Sequence, residues 1–491
     1  MAILRHGKTL YINGDWHTAS ELEAVVNPAN EDLVGEAPVG HLQHAEAALA
    51  AAREAFDQGP WPRLPQQARQ AKMSEFIDAL ERRADEIIPL IIAESGSLQM
   101  LARFMQFGMP IQLGRHTISA SGRAATTPLP VEVVPNADGT KTLAGGVVSR
   151  EPVGVVVAIT PYNVPLMLNV CKSVAAMVMG CTVILKPSPY TPLEALILGE
   201  IADEVGLPKG VLNIVTGGID VGTKLTSDPR VDLVSFTGSD KVGAAVQAQA
   251  APTLKRVVLE LGGKSALVVR PDADLAKAAA AGFGGITTHC GQGCVLLTRH
   301  IVHNSVRAKY VEAVREMLAG VRLGDPNDPA VTMGPLIRDN ARLRTEQYVE
   351  SALAQGGRLV AGGRRPKDLK RGYFYEPTLF DDVSNDARIA REEVFGPVGV
   401  VIGYDSDEEA VALANDSDYG LSGAIYSRDA GRAYEMALAM RTGGVTINTP
   451  FPQMNPYAPF GGIKRSGHGR EQGEYGLDEF VYLKTIDFRA A

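Results

Sequence analysis

The sequence contains no Gly-x-Gly-x-x-Gly segment, so the usual glycine-rich entry to a dinucleotide fold is closed and a nucleotide site must be built by other means. Only four cysteines, Cys171, Cys181, Cys290 and Cys294, occur in 491 residues, which excludes a disulfide scaffold and matches free thiols in a reducing compartment. No run of Lys and Arg is present to track a phosphate backbone: 48 basic and 56 acidic residues are scattered to a net charge of -8, and nucleic acid is not an expected partner. The longest apolar stretch, 165–180, is broken by Asn169 and Lys172. It falls short of the roughly 20 residues that span a bilayer, so it reads as a buried helix and no membrane partner is expected. Met1 to Leu10 carries Arg5, His6 and Lys8 without the apolar stretch and cleavage site of a secretory signal, and a cytoplasmic location is the expectation. Internal repeats and low-complexity tracts are also missing.

What is present is a long, turn-rich chain with core to spare. Single cores stop growing at roughly 250 to 300 residues, so two large lobes are expected. From Arg150 onward short β-rich runs at 153–159, 182–185, 211–215 and 233–236 alternate with helical stretches after Pro165 and at 192–205, 221–226 and 241–250. This βαβ repetition predicts a mainly parallel sheet covered by helices, with ligands at the carboxyl ends of its strands. The strand 257–261 runs into Gly262-Gly263, a second α/β stretch follows with strands at 266–269 and 300–303, and the lobe boundary is placed near Gly262. Amphipathic surface helices are expected at 45–56 and 66–83. Between Pro130 and Ser149 two extended runs meet at Asn136-Ala137-Asp138-Gly139, the pattern of a projecting hairpin.

Several residues carry possible chemistry. Gly291 and Gly293 place Cys294 in a loop that can approach a ligand closely; a lone cysteine is as readily a small buried hydrophobe as a nucleophile. His289 and Cys290 nearby raise a metal site, but no second ligand cluster exists and a metal is not expected. Cys290 reads as packing, with a reversible disulfide to Cys294 as the lesser alternative. Glu260 ends an apolar strand, either as a salt-bridge partner of Lys255, Arg256 or Lys264 or as a general base raised toward working pH by burial. Asn163, between Pro161 and Pro165, is a turn residue or an amide donor to an oxyanion. After strand 233–236, Gly238 and Gly243 lead into a helix whose amino terminus suits a pyrophosphate. Lys186 can bind ribose hydroxyls or be a solvated surface lysine, and Glu393 and Phe395 can be a surface acid and a core aromatic.

In order along the chain stand PYNVP at 161–165, KPS at 186–188, FTGSDKVG at 236–243, LELGGK at 259–264, GQGC at 291–294, EEVFGP at 392–397 and PFGGIKRSGHGRE at 459–471. With these motifs the chain resembles the aldehyde dehydrogenase superfamily from near its first strands to its end. The resemblance implies an α/β fold with a Rossmann-type cofactor domain (1–127 and 150–261), an α/β catalytic domain (262–465), and oligomerisation elements (128–149 and 466–491) that include a small β hairpin. It implies NAD(P)-dependent oxidation of a small-molecule aldehyde to a carboxylic acid, with Cys294 as nucleophile, Glu260 as general base, and Asn163 with the Cys294 backbone N–H as oxyanion hole. Lys186 and Glu393 would hold ribose hydroxyls, Phe395 would pack near the nicotinamide ribose, and Gly238 and Ser239 would meet the pyrophosphate. Thr160, Ser188, Pro189, Gly222, Phe236, Thr237, Val242, Leu261 and Gly262 complete the implied cofactor contacts.

Many NAD-preferring members carry a glutamate where Pro189 stands, and proline can neither bond a 2′-OH nor repel a 2′-phosphate; NAD is favoured and NADP stays open. The implied substrate pocket comprises Val164, Met167, Cys171, Gly293, Val295, Met454 and Phe460, an apolar tunnel suited to medium or bulky hydrophobic or aromatic aldehydes. The rivals are a semialdehyde dehydrogenase, a coenzyme A-acylating or phosphorylating relative, which by the same resemblance tends to lack the glutamate, and a catalytically silent binding protein. A homodimer or homotetramer is expected, with the hairpin and the tail 479–486 covering a partner's sheet edge.

Overall fold

The computed structural model describes residues 5–123, 125–449 and 455–489. Its first sheet has eight strands. The five parallel ones lie in the order Leu212–Ile214, Thr182–Lys186, Val155–Ile159, Leu233–Thr237, Arg256–Glu260. Thr9–Ile12 and Asp15–Thr18 extend one edge antiparallel, and Gly467–His468 closes the other against Leu259 and Glu260. Val155–Ala158 and Thr182–Lys186 are buried along their whole length, as continuous β-branched runs must be when helices cover both faces of a sheet.

The strand order reverses between Val155–Ile159 and Leu233–Thr237. Chains leaving two such neighbours diverge to opposite faces and open a crevice at the carboxyl ends. Thr160 to Asn163 and Thr237 to Ser239 begin there.

A second sheet of seven strands begins at Ser265–Val269, five residues after the first sheet's last parallel strand, and runs through Leu297–His303, Thr378–Asp381, Val398–Tyr404, Ser422–Tyr426 and Gly444–Ile447, all parallel. Arg358–Ala361 adds an antiparallel edge. Leu275–Thr287 and Asn304–Ala319 pack on it around Leu267, Ile286 and Leu297.

The segment expected to be a hairpin belongs to something larger. Glu132–Pro135 and Lys141–Pro152 pair around the Asn136 turn, but Thr126–Pro128 and the tail strand Val481–Arg489 pair with the same long strand, making a four-stranded sheet. The hairpin alone would leave a twelve-residue edge unpaired, and the tail satisfies it over nine positions. The run after Pro165 forms the helix Pro165–Val178, in which Asn169 and Lys172 are buried with polar partners. Among the described residues no helix is long and apolar enough to cross a membrane.

Leu233 is fully buried at the start of the switch-point strand. Leu233→Ala should cost about 2–5 kcal/mol, seen as a lower thermal midpoint with kcat/KM of the folded fraction unchanged.

Candidate active site

Three segments converge beyond the first sheet's carboxyl edge. The first is the end of Arg256–Glu260. Glu260 is 3% exposed and neither carboxylate oxygen has a hydrogen-bond partner. None of the three cations proposed from sequence pairs with it: Lys255 bonds the carbonyls of Thr226 and Asp228, and Arg256 those of Glu479 and Val481. Burial first, then the neighbouring Glu471, pushes its carboxyl well above the usual range, against Lys172 and Arg470. Room for it comes from Gly461, where a Cβ would lie 2.7 Å from Glu260 Oε1.

The second is the loop carrying Cys294. His289, Cys290 and Gly291 are successively left-handed, with φ of 47°, 55° and 72°, a conformation that strains the two non-glycine residues. Gln292, 1% exposed, braces it: its backbone N–H and Nε2 both donate to His289 O at 3.1 Å, and its Oε1 accepts from Ile337 N at 2.9 Å. A Cβ on Gly291 would overlap the Gly396 carbonyl and Pro397. Cys290 is fully buried in an apolar cluster, as its packing reading requires, whereas Cys294 is half-buried.

The third is the turn after Val155–Ile159. Asn163 Nδ2 donates to Gln292 O at 3.0 Å, which uses one of its two N–H groups and fixes the amide beside the Cys294 loop. Gly263 joins the segments, since a Cβ there would come within 2.6 Å of the Cys294 carbonyl. Asn163 is thus bonded two residues before Cys294, and the Glu260 carboxylate lies near enough to act on the Cys294 thiol.

The aldehyde dehydrogenase family profile matches residues 16–486 of this chain. The chain belongs to that family. It is 39% identical to 3-succinoylsemialdehyde-pyridine dehydrogenase from a Pseudomonas species, over 98% of this chain and 99% of the relative. Among solved structures, Staphylococcus aureus betaine aldehyde dehydrogenase in complex with NAD+ matches at a TM-score of 0.94 and 34% identity, covering 98% and 95% of the two chains. A Pseudomonas syringae aldehyde dehydrogenase C mutant in complex with NAD+ and octanal matches at 0.91 and 35%, covering 99% and 98%.

In this member of the family, the residues expected to hold a dinucleotide follow the switch-point crevice. Lys186 is buried, not a solvated surface lysine; its ammonium has no partner among the described residues, and burial lowers it to about 8 against the pull of Asp220. Gly222 lies over its methylenes, its missing Cβ 3.7 Å from Lys186 Cε. Gly238 leaves no room for a side chain beside the Phe236 ring, and Ser239 caps the helix Asp240–Ala250, its Oγ accepting from Val242 N. Val242 is exposed at that helix start, and Thr237 Oγ1 is buried without a partner.

Glu393 accepts from Gly263 N at 2.9 Å, and its other oxygen occupies the space a Cβ on Gly262 would need. Burial raises it to about 7. Phe395, left-handed at φ 53°, meets Tyr162 edge-on with ring centroids 6.1 Å apart. Leu261 is buried and Pro189 half-buried. Two hydroxyls are already engaged: Thr160 Oγ1 donates to Asn169 Oδ1 at 2.6 Å, and Ser188 Oγ accepts from Tyr190 N at 3.2 Å. An unpaired cation, an orphaned hydroxyl, two glycines that admit no Cβ and a helix amino terminus along one crevice fit a ligand carrying ribose and pyrophosphate.

On Pro165–Val178 the half-buried positions are Met167, Cys171 and Ala175, in line with Val164 just before the helix, while the rest of the helix is buried. Three- and four-residue steps make this one stripe facing open space. Gly293, Val295 and Phe460 are half-buried as well. Phe460 exchanges two 2.7 Å backbone hydrogen bonds with Glu471, whose carboxylate pairs with Lys172 next to Cys171, so both walls are tied to one buried ion pair. Met454 lies outside the described residues.

Sequence reasoning missed four residues. Gln292 braces the loop, Ser466 donates to Gly262 O at 2.7 Å and accepts from Gly420 N at 3.0 Å, and Glu471 with Lys172 sets the field around Glu260. Gln292, Ser466 and Glu471 sit inside matched motifs, but their effect runs through contacts distant in sequence.

Burial, then the carboxylates Glu393 and Glu260, pushes the Cys294 thiol up to about 12, opposed by the backbone N–H groups of Cys294 and Val295. Iodoacetamide labelling of Cys294 in the ligand-free protein should therefore accelerate about tenfold per pH unit up to pH 9. Peptide mass spectrometry should find Cys181 and Cys290 unmodified.

Proposed function

We propose that the protein oxidises an aldehyde to a carboxylic acid with NAD+ through a covalent intermediate on Cys294. The observation that carries this reading is the buried, unpaired carboxyl of Glu260 facing a half-buried cysteine braced beside an oriented amide. In this mechanism Cys294 adds as thiolate to the aldehyde carbon, and Asn163 Nδ2 and the Cys294 backbone N–H donate to the oxyanion. NAD+ held by Lys186, Glu393 and the helix start at Ser239 would supply the acceptor for the hydride that leaves as the carbonyl reforms. Glu260 takes a proton from a water, whose oxygen attacks the thioester; the acid departs and the thiol is restored. Glu260 argues for water as the acyl acceptor over coenzyme A or phosphate, and the same reacting set argues against a silent binding protein.

Lys186 and Glu393 hold the ribose hydroxyls in this reading, and the helix start at Ser239 faces the pyrophosphate. The complexes of the two structural relatives with NAD+ support that cofactor; nothing in Pro189 selects against NADP.

The substrate we propose is a medium to bulky hydrophobic or aromatic aldehyde. The Val164, Met167 and Cys171 stripe is apolar and itself carries no aromatic ring, and the syringae relative is in complex with octanal. The name of the Pseudomonas relative joins a semialdehyde to a pyridine ring, which keeps ring-bearing semialdehydes within the class. The protein assembles as a homodimer or homotetramer in this proposal. Val133 and Leu143 of the four-stranded sheet, Val131 just before it, and Leu483, Ile486 and Phe488 of its tail strand are exposed apolar residues on one arm, a clustering that suits a contact between subunits.

Glu260→Gln should give a burst of NADH followed by slow turnover, because hydrolysis loses its base. The native enzyme's kcat should fall as pH drops, since a carboxyl raised by burial is protonated first. Loss of the burst in rapid mixing would place Glu260 before hydride transfer instead.

For the substrate, kcat/KM for acetaldehyde, hexanal, benzaldehyde and succinic semialdehyde should rank hexanal or benzaldehyde first. Cys171→Trp should lower the bulky substrates selectively by about tenfold or more. Acetaldehyde or succinic semialdehyde leading the panel refutes this pocket.

A further inference from the structure

Just after the Gly262–Gly263 turn in sequence, Lys264 and Ser265 line a small cavity of about 10 Å³ together with Arg299, Tyr419, Arg441 and Thr442 among others. Three of its lining residues are cations and none is acidic. Lys264 is 3% exposed, and its ammonium has neither a hydrogen bond nor an ion pair among the described residues. Arg299, 1% exposed, spends its terminal nitrogens on Asn385 and on the carbonyls of Leu413, Ala414 and Asp416, and its Nε is left without an acceptor. The hydroxyls of Ser265 and Thr442 also lack partners.

Buried donors without partners are rare, and three of them beside one cavity that the Lys264 side chain also lines share a single remedy. A buried ammonium without a counter-charge is costly, and a water molecule supplies hydrogen bonds but no charge. The acidic groups that act on Lys264, Glu393 and Glu392, lie beyond ion-pair distance, and Glu393 already accepts from Gly263 N. A space of about 10 Å³ is that of a single small species, which favours a monatomic ion over phosphate or a carboxylate-bearing metabolite.

We propose that this cavity is a halide site, occupied by chloride held between Lys264, Arg299, Ser265 and Thr442. Chloride there joins the first residues of Ser265–Val269 to the segment before Gly444–Ile447. It also keeps Lys264 protonated, which burial otherwise lowers to about 7. The site is independent of the proposed reaction, and its test does not require turnover.

The test is thermal melting of the full-length protein in sodium chloride, sodium bromide and sodium gluconate at matched ionic strength. The expected result is a midpoint that rises and saturates with chloride and bromide but not with gluconate. Lys264→Met should abolish that rise, and Thr442→Val, a milder change, should weaken the apparent halide affinity several-fold. A bromide-soaked crystal should show an anomalous peak between Lys264 and Thr442. Equal midpoints in chloride and gluconate, an unchanged halide response in both variants, or an anomalous map with no peak in this cavity overturns the proposal.

Discussion

The site depends on a close approach that no side chain would permit. At Gly262 and Gly263 the chain passes from the first sheet to the second, and each residue stands where a Cβ would strike a functional group: the Glu393 carboxylate at 262, the Cys294 carbonyl at 263. Ser466 holds this turn by bonding the Gly262 carbonyl and the Gly420 N–H together. Glu260 and Lys264 flank the turn and face different surroundings. The distance between proposed base and proposed nucleophile is thus set by packed backbone, which deforms little under load.

Burial governs the electrostatics of the same region. Removal from water favours the neutral form of every ionisable group, so Glu260, Glu393 and the Cys294 thiol are raised and Lys186 is lowered. Lys172 is buried in the same region, and its ammonium meets Ser235 Oγ and the Glu471 carboxylate inside the protein. That pair acts on Glu260 with both signs, and its carboxylate outweighs its ammonium.

Part of the backbone strain lies beside the site. Two non-glycine residues in left-handed conformation precede Gln292, and the structure holds them with hydrogen bonds from one buried amide and with the Gly291 contact on Gly396. Because Asn163 bonds the backbone of that same Gln292, displacement of the loop would move amide and thiol together.

Short-range information was sufficient for much of this protein. Hydrophobic alternation and helical spacing between 150 and 270 determined the βαβ repetition, since both periodicities are properties of adjacent residues. The motifs carrying Asn163, Glu260 and Cys294 were legible because glycine frees and proline restricts the backbone locally whatever the surroundings. Spacing could not decide whether Glu260 was a salt-bridge partner, because Lys255 and Arg256 are its neighbours in sequence yet bond elsewhere in space. Nor could the hairpin at 132–152 reveal that strand 481–489 completes its sheet, since that pairing joins residues more than 300 positions apart. The roles of Gln292, Ser466 and the Lys172–Glu471 pair are of the same kind: each is a contact between distant segments, and only the packed chain brings its two ends together.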